Sequence, residues 1–195
     1  MDYIRQTFAA LGLVVLLGGT PAALAVQPGH TLVAQTTAED FFTRGLKKKQ
    51  AGDFAGAIAD YTRAIQLKPK YSLAYNNRGN ARSGADDKKG AIADFTKAIQ
   101  INADWGDIGP ATAYYNRGNN KYTLGDKQGA IADYNQSIKL DSTDPDAYYN
   151  RGNAFASLRN KKAAIADFQK SADLYRKAGK TADYKDALAR IQKLK

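Results

Sequence analysis

Tyr114-Tyr115-Asn116-Arg117-Gly118-Asn119 returns as Tyr148-Tyr149-Asn150-Arg151-Gly152-Asn153, and Tyr75-Asn76-Asn77-Arg78-Gly79-Asn80 precedes both. Phe41-Phe42-Thr43-Arg44-Gly45-Leu46 carries the same Arg-Gly centre. The glycines stand 34, 39 and 34 residues apart. A fixed period of this length marks stacked helix pairs, because one pair cannot bury its apolar face alone. The expectation is a chain that holds another molecule, not one that transforms it.

Aligned on those glycines, the chain divides into units 38–71, 72–105, 111–144 and 145–178, with 106–110 inserted between the second and third. Position 8 of each unit is glycine, and position 20 is Ala57, Ala91, Ala130 and Ala164. Small residues at both places let two helices approach closely. Position 24 is Tyr61, Phe95, Tyr134 and Phe168, and position 4 is Phe41, Tyr75, Tyr114 and Tyr148; these rings are expected to fill the space around the close contact. Alanine, isoleucine and aromatic residues at 20, 21, 24, 27 and 28 repeat at the spacing of a buried helical stripe. After the last unit, Tyr184, Leu188, Ile191 and Leu194 make one apolar face, and the opposite face reads as basic. Residues 179–195 are therefore expected to form a capping helix.

Small-8, aromatic-4, Ala-20, aromatic-24, Ala-27 and the Pro-32 of the first unit (Pro69) resemble the tetratricopeptide repeat. The resemblance spans residues 38–178 and implies an all-α fold, a right-handed α-solenoid of helix-turn-helix repeats. It also implies a concave groove, lined by the first helix of each unit, where extended peptides bind. Position 32 departs from it at Ala103, Ser142 and Arg176, and position 7 is Arg44, Arg78, Arg117 and Arg151 where leucine is usual. Position 23 is Asp60, Asp94, Asp133 and Asp167. Both positions flank the apolar stripe of their own helix, so an Arg-7 to Asp-23 contact is expected, within or between units.

At 100° per residue, positions 2, 5, 6, 9, 12 and 13 of the first helix lie opposite its packing stripe. They carry Asn76, Asn77 and Asn80, then Tyr115, Asn116, Asn119 and Tyr122, then Tyr149, Asn150 and Asn153. The first unit differs, with Phe42, Leu46 and Lys49. An asparagine amide donates and accepts at once, so it can pair with any peptide backbone, while tyrosine adds apolar contact with a polar tip. These residues form the candidate peptide- or partner-binding set. The alternative is that asparagine at positions 6 and 9 organises neighbouring helices. A carboxylate clamp of the heat-shock co-chaperone kind would use Asn76, Asn80, Asn116, Asp146 and Asn150; its cations are missing and Asp146 would repel a carboxylate. Trp105, the only tryptophan, sits at the insertion and is expected to pack into the gap between units.

The chain has 195 residues, a net charge of +10 and no cysteine, so disulfides play no part. Met1–Ala25 has an early arginine, an apolar run from Phe8 to Leu17 and a small-x-small ending, Ala23-Leu24-Ala25. That reads as a secretory signal, with an uncleaved N-terminal anchor as its rival, followed by a flexible leader, 26–37. Export to a periplasm, a comparable lumen or the outside is expected. Catalysis, cofactors and metal binding find no support: the only histidine, His30, lies in the leader, and no Gly-rich phosphate loop follows a strand. The lysines are scattered (Lys47–Lys49, Lys88-Lys89, Lys161-Lys162), which argues against nucleic acid and leaves weak contact with anionic lipid or wall polymer as the alternative. The expected partner is a protein or peptide.

Overall fold

A computed structural model describes residues 36–195, so the expected signal segment and most of the expected leader lie outside the described residues. Among the described residues there are nine helices and no strand. They are α1 (Ala38–Gln50), α2 (Phe54–Leu67), α3 (Ser72–Gly84), α4 (Lys88–Ile101), α5 (Ala111–Thr123), α6 (Lys127–Leu140), α7 (Pro145–Ser157), α8 (Lys161–Lys177) and α9 (Thr181–Leu194). Each packs on the next along the chain, and α1, α3, α5 and α7 also touch in a row. This is an all-α helical repeat solenoid.

Helix starts are written into the sequence. Thr37 caps α1 in a reciprocal box with Asp40. Asp53, Asp87, Asp126 and Asn160 cap α2, α4, α6 and α8, each side chain accepting the N–H three residues on. Asp87, a residue type equally common in solvated turns, is thus a helix cap. In the first three of these the accepted N–H belongs to Gly56, Gly90 or Gly129, where an added Cβ would come within 2.0–2.1 Å of the capping carboxylate.

Within each helix pair the close approach is real. A Cβ at Gly45, Gly79 or Gly118 would stand 2.7–2.8 Å from the ring of Tyr61, Phe95 or Tyr134, and one at Gly152 would stand 3.0 Å from Phe168. The alanines at position 20 and the rings at position 24 are fully buried. Trp105 is buried with Phe95, Ala98 and Ala113, and its Nε1 donates to Asn102 Oδ1 at 3.0 Å. It fills the junction between α4 and α5, as the sequence indicates, and the inserted residues do not interrupt the stacking of those two helices.

The Arg-7 to Asp-23 contact forms in every unit. Arg44, Arg78, Arg117 and Arg151 each grip Asp60, Asp94, Asp133 and Asp167 through Nε and Nη2, at 2.5–2.9 Å. These are bidentate, charge-assisted bonds between the two helices of one pair. The third nitrogen reaches backward: Nη1 of Arg78, Arg117 and Arg151 donates to Thr62, Thr96 and Asn135 of the preceding unit. One side chain therefore ties three helices. The position-4 rings pack at the edge of the core, Phe41 and Tyr75 against the cluster of Ala57 and Tyr61, and Tyr75 also against that of Ala91 and Phe95. Each lies under its arginine, with guanidinium-to-centroid distances of 4.8–5.5 Å.

Candidate functional site

The row of first helices is the surface on which the candidate residues fall, and the structure sorts them. Asn76 and Asn77 are not on an open face: they are only 1% and 7% exposed. Asn77 donates to the Leu73 carbonyl and accepts from Lys49 Nζ on α1. Asn76 Oδ1 is buried without a partner. The helical wheel of a single helix missed this because neighbouring first helices touch, so positions 5 and 6 face the next helix as much as solvent.

Further along, the amides link helix to helix. Asn116 Nδ2 donates to Asn80 Oδ1 at 3.0 Å, joining α5 to α3. Asn150 Nδ2 donates to Tyr115 Oη at 2.9 Å and to Asn119 Oδ1 at 3.2 Å, joining α7 to α5. Asn119 Oδ1 also accepts from the buried Tyr134 hydroxyl on α6. Tyr122 and Ser157 share a bond across α5 and α7, and Tyr149 donates to Asp186 on α9. The organising role of asparagine is therefore present in the fold. It does not saturate the amides, each of which offers two donors and two acceptor lone pairs. Asn80, Tyr115, Asn116, Asn119, Tyr122, Tyr149, Asn150 and Asn153 all remain partly exposed.

The first unit ends this pattern. Leu46 stands where Asn119 stands in the third unit, and the Tyr61 hydroxyl is buried without a hydrogen bond. Burial pushes its pKa up. Lys49, half-buried on the same face, has its pKa lowered by burial.

The far end of the row differs again, in a way single-helix reading does not reveal. Asp146 at the start of α7 accepts from the Tyr175 hydroxyl of α8, and Asp183 and Asp186 approach from α9. The side of α9 turned toward α7 thus carries Asp183 and Asp186 together with Arg190, which lies over the Tyr149 ring. The signal was present as Asp183 and Asp186 three residues apart, but their direction depends on how α9 docks. Among the described residues, no group of three or more His, Cys, Asp or Glu side chains converges to hold a metal ion, and no helix is long and apolar enough to cross a membrane.

Comparison with known proteins agrees with this geometry. A family model described as TPR repeat matches residues 45–83 and 118–158, and one described as Tetratricopeptide repeat matches 73–104 and 145–178. The human "Tetratricopeptide repeat protein 6" is 51% identical over 45 residues, 23% of this chain and only 9% of that protein. Among solved structures, MamA protein superposes with a TM-score of 0.63 at 23% identity, covering 80% of this chain and 89% of that one. YrrB, described as a TPR protein with an unusual peptide-binding site, gives a TM-score of 0.62 at 20% identity, over 83% and 84% of the two chains. The first TPR of Spaghetti (RPAP3), bound to HSP90 peptide SRMEEVD, gives 0.59 at 22% identity, over 63% and 94%.

Proposed function

Because the chain belongs to the tetratricopeptide repeat family, we propose that it is a non-catalytic interaction scaffold that holds an extended peptide or partner protein on its first-helix face. The observation that carries this reading is the half-exposed row of asparagines and tyrosines on α3, α5 and α7, fixed in place by bonds between those helices. A row held rigid before binding loses little entropy on binding. Its exposed amides match the repeating donors and acceptors of a peptide backbone. Two neighbours of the same fold are described with a peptide or a peptide-binding site, which supports the class of ligand. The Met1–Ala25 pattern favours an exported location for this scaffold, a periplasm, a comparable lumen or the outside.

The test is binding of a random-sequence peptide library to the full chain, read by fluorescence anisotropy at about 0.15 M and 0.5 M salt. At the higher salt the screening length falls to roughly 4 Å. Asn153→Ala with Tyr122→Ala is the variant to compare, since Asn153 makes no side-chain bond in the described fold and Tyr122 only an exposed one. Peptide binding that survives high salt and weakens about tenfold or more in the variant supports the scaffold. Binding that disappears in high salt and is matched by anionic vesicles would replace it with the basic-surface alternative, which the +10 charge motivates.

A further inference from the structure

At the end of the first-helix row, residues of α5, α7, α8 and α9 line a half-open cavity of about 340 Å³. That lies at the lower end of the ~300–1,000 Å³ of small-ligand pockets. Its walls are aromatic, from Tyr115, Tyr149 and Tyr175, and Asn150 adds an amide. Its charge comes from Asp146, Asp183 and Asp186, contributed by two helices 37 residues apart in register. A chain of net charge +10 has collected three carboxylates around one opening.

The cations near them are Arg190, 3.7 Å from Asp186 and over the Tyr149 ring, and Lys180, over the Tyr175 ring. Among the described residues, Asp146 and Asp183 have no ion-pair partner. Burial first, and then nearby carboxylates, raise the pKa of Tyr115, Tyr149 and Tyr175. One helical turn before Tyr175, the fully buried Ser171 hydroxyl lies beside the Tyr175 hydroxyl.

Among the described residues no group of three or more His, Cys, Asp or Glu side chains, these carboxylates included, converges on a metal ion. The carboxylates suit a larger organic cation, whose alkyl stem lies along tyrosine rings while its charged end meets the aspartates. We propose that this cavity takes the guanidinium or ammonium end of an arginine or lysine side chain carried by the bound peptide. The inference rests on the scaffold reading and deepens it: the site selects for a basic residue at one end of the ligand and against an acidic one. Asparagines along the row contact backbone, and the cavity fixes register.

The test is nitrogen-15 NMR on the full chain, titrated with N-acetyl-arginine amide and with its neutral urea counterpart, N-acetyl-citrulline amide. A second arm uses an eight-residue Gly/Ser peptide with one arginine, and the same peptide with glutamine in its place. The variant is Asp183→Asn, an exposed residue with no hydrogen bond or ion pair of its own, and its melting point verifies that it folds. Shifts at Tyr115, Asn150, Tyr175 and Asp183 with arginine amide, at least about tenfold weaker with citrulline amide and in the variant, support the cation site. Tighter binding by the arginine peptide, with shifts continuing along α5 and α7, supports a peptide as its source. Equal shifts with both amides overturn the site. Peptides that bind along the row with no preference for arginine over glutamine also overturn it, while leaving the scaffold reading standing. Binding of the amide with none by either peptide keeps the cation site and overturns the peptide source.

Discussion

Arg151 and Asp167 are the pair with the least support around them. In the first three units, position 11 supplies a second cation: Lys48, Arg82 or Lys121 reaches the same aspartate at 2.8–2.9 Å. In the fourth it is Phe155. Removing one partner of a buried pair strands the other charge, at a cost of roughly 3–5 kcal/mol when nothing replaces it. Arg151→Met should therefore destabilise most, Arg117→Met less because Lys121 remains, and Arg44→Met least, since Arg44 is 52% exposed against 13% for Arg78. Urea unfolding of the series checks that order, and an Arg44→Met loss equal to that of Arg151→Met would contradict it. Asp60 gives an acid signature: hydrogen bonds from Arg44, the larger effect, and Lys48 lower its pKa from 3.8 to about 2. A carboxylate with a depressed folded pKa stabilises above its unfolded value and loses that contribution as pH falls through the folded one. In a pH titration of stability, Asp60→Asn should remove part of the decline between about pH 4 and pH 2. The tyrosines at position 24 make a second pair of predictions. Tyr61→Phe removes an unpartnered buried hydroxyl and should be neutral or stabilising. Tyr134→Phe leaves a bond to Asn119 unmade and should cost about 1 kcal/mol, both measured by thermal melts. The arginine–aspartate contact was legible because both residues recur in every unit; the backward bond to position 25 was not, because that position varies between Thr and Asn.

Helix pairs are specified by what is missing at position 8. Glycine inside a helix costs roughly 1 kcal/mol relative to alanine, so a glycine in every unit has to be repaid by packing. The ring at position 24 supplies it, lying where a Cβ would sit. Gly79→Ala should lower the melting temperature despite alanine's better helix propensity, because overpacking costs typically ~1–3 kcal/mol. Gly152→Ala should cost less, since its Cβ would meet Phe168 at 3.0 Å instead of 2.8 Å from Phe95. Equal or higher melting temperatures in both variants would mean the rings shift freely. This layer of the fold was readable from one sequence because small and aromatic residues alternate at a fixed register. The caps were not read in advance: Asp followed three residues later by Gly starts α2, α4 and α6, but a lone Asp such as Asp87 resembles an ordinary turn residue. The amide links between α3, α5 and α7 were not legible either. They depend on the axial offset of neighbouring helices, which a wheel drawn for one helix does not contain.

Along the solenoid, contacts between helices among the described residues run almost entirely between neighbours in the chain, so its stability is close to a sum of unit and interface contributions. The two ends then have different characters. At one end α1 has no preceding helix pair among the described residues, and its arginine finds no backward acceptor. At the other, Ala187 and Ile191 of α9 are buried, and Ile191 lies in one cluster with Ala164 and Phe168 of α8. The same helix brings Asp183 and Asp186 to the cavity, so one element both seals the solenoid and completes the proposed cation site. Truncation after Gly179 separates local from global dependence. It uncovers Phe168, and removes the partner of Tyr149. Hydrogen exchange should then rise by orders of magnitude in α7 and α8 while α3 and α4 keep their protection, because coupling decays from one interface to the next. A uniform loss of protection from α1 to α8 would instead show a single cooperative unit. The arginines that bridge consecutive units would then carry stability across the whole chain.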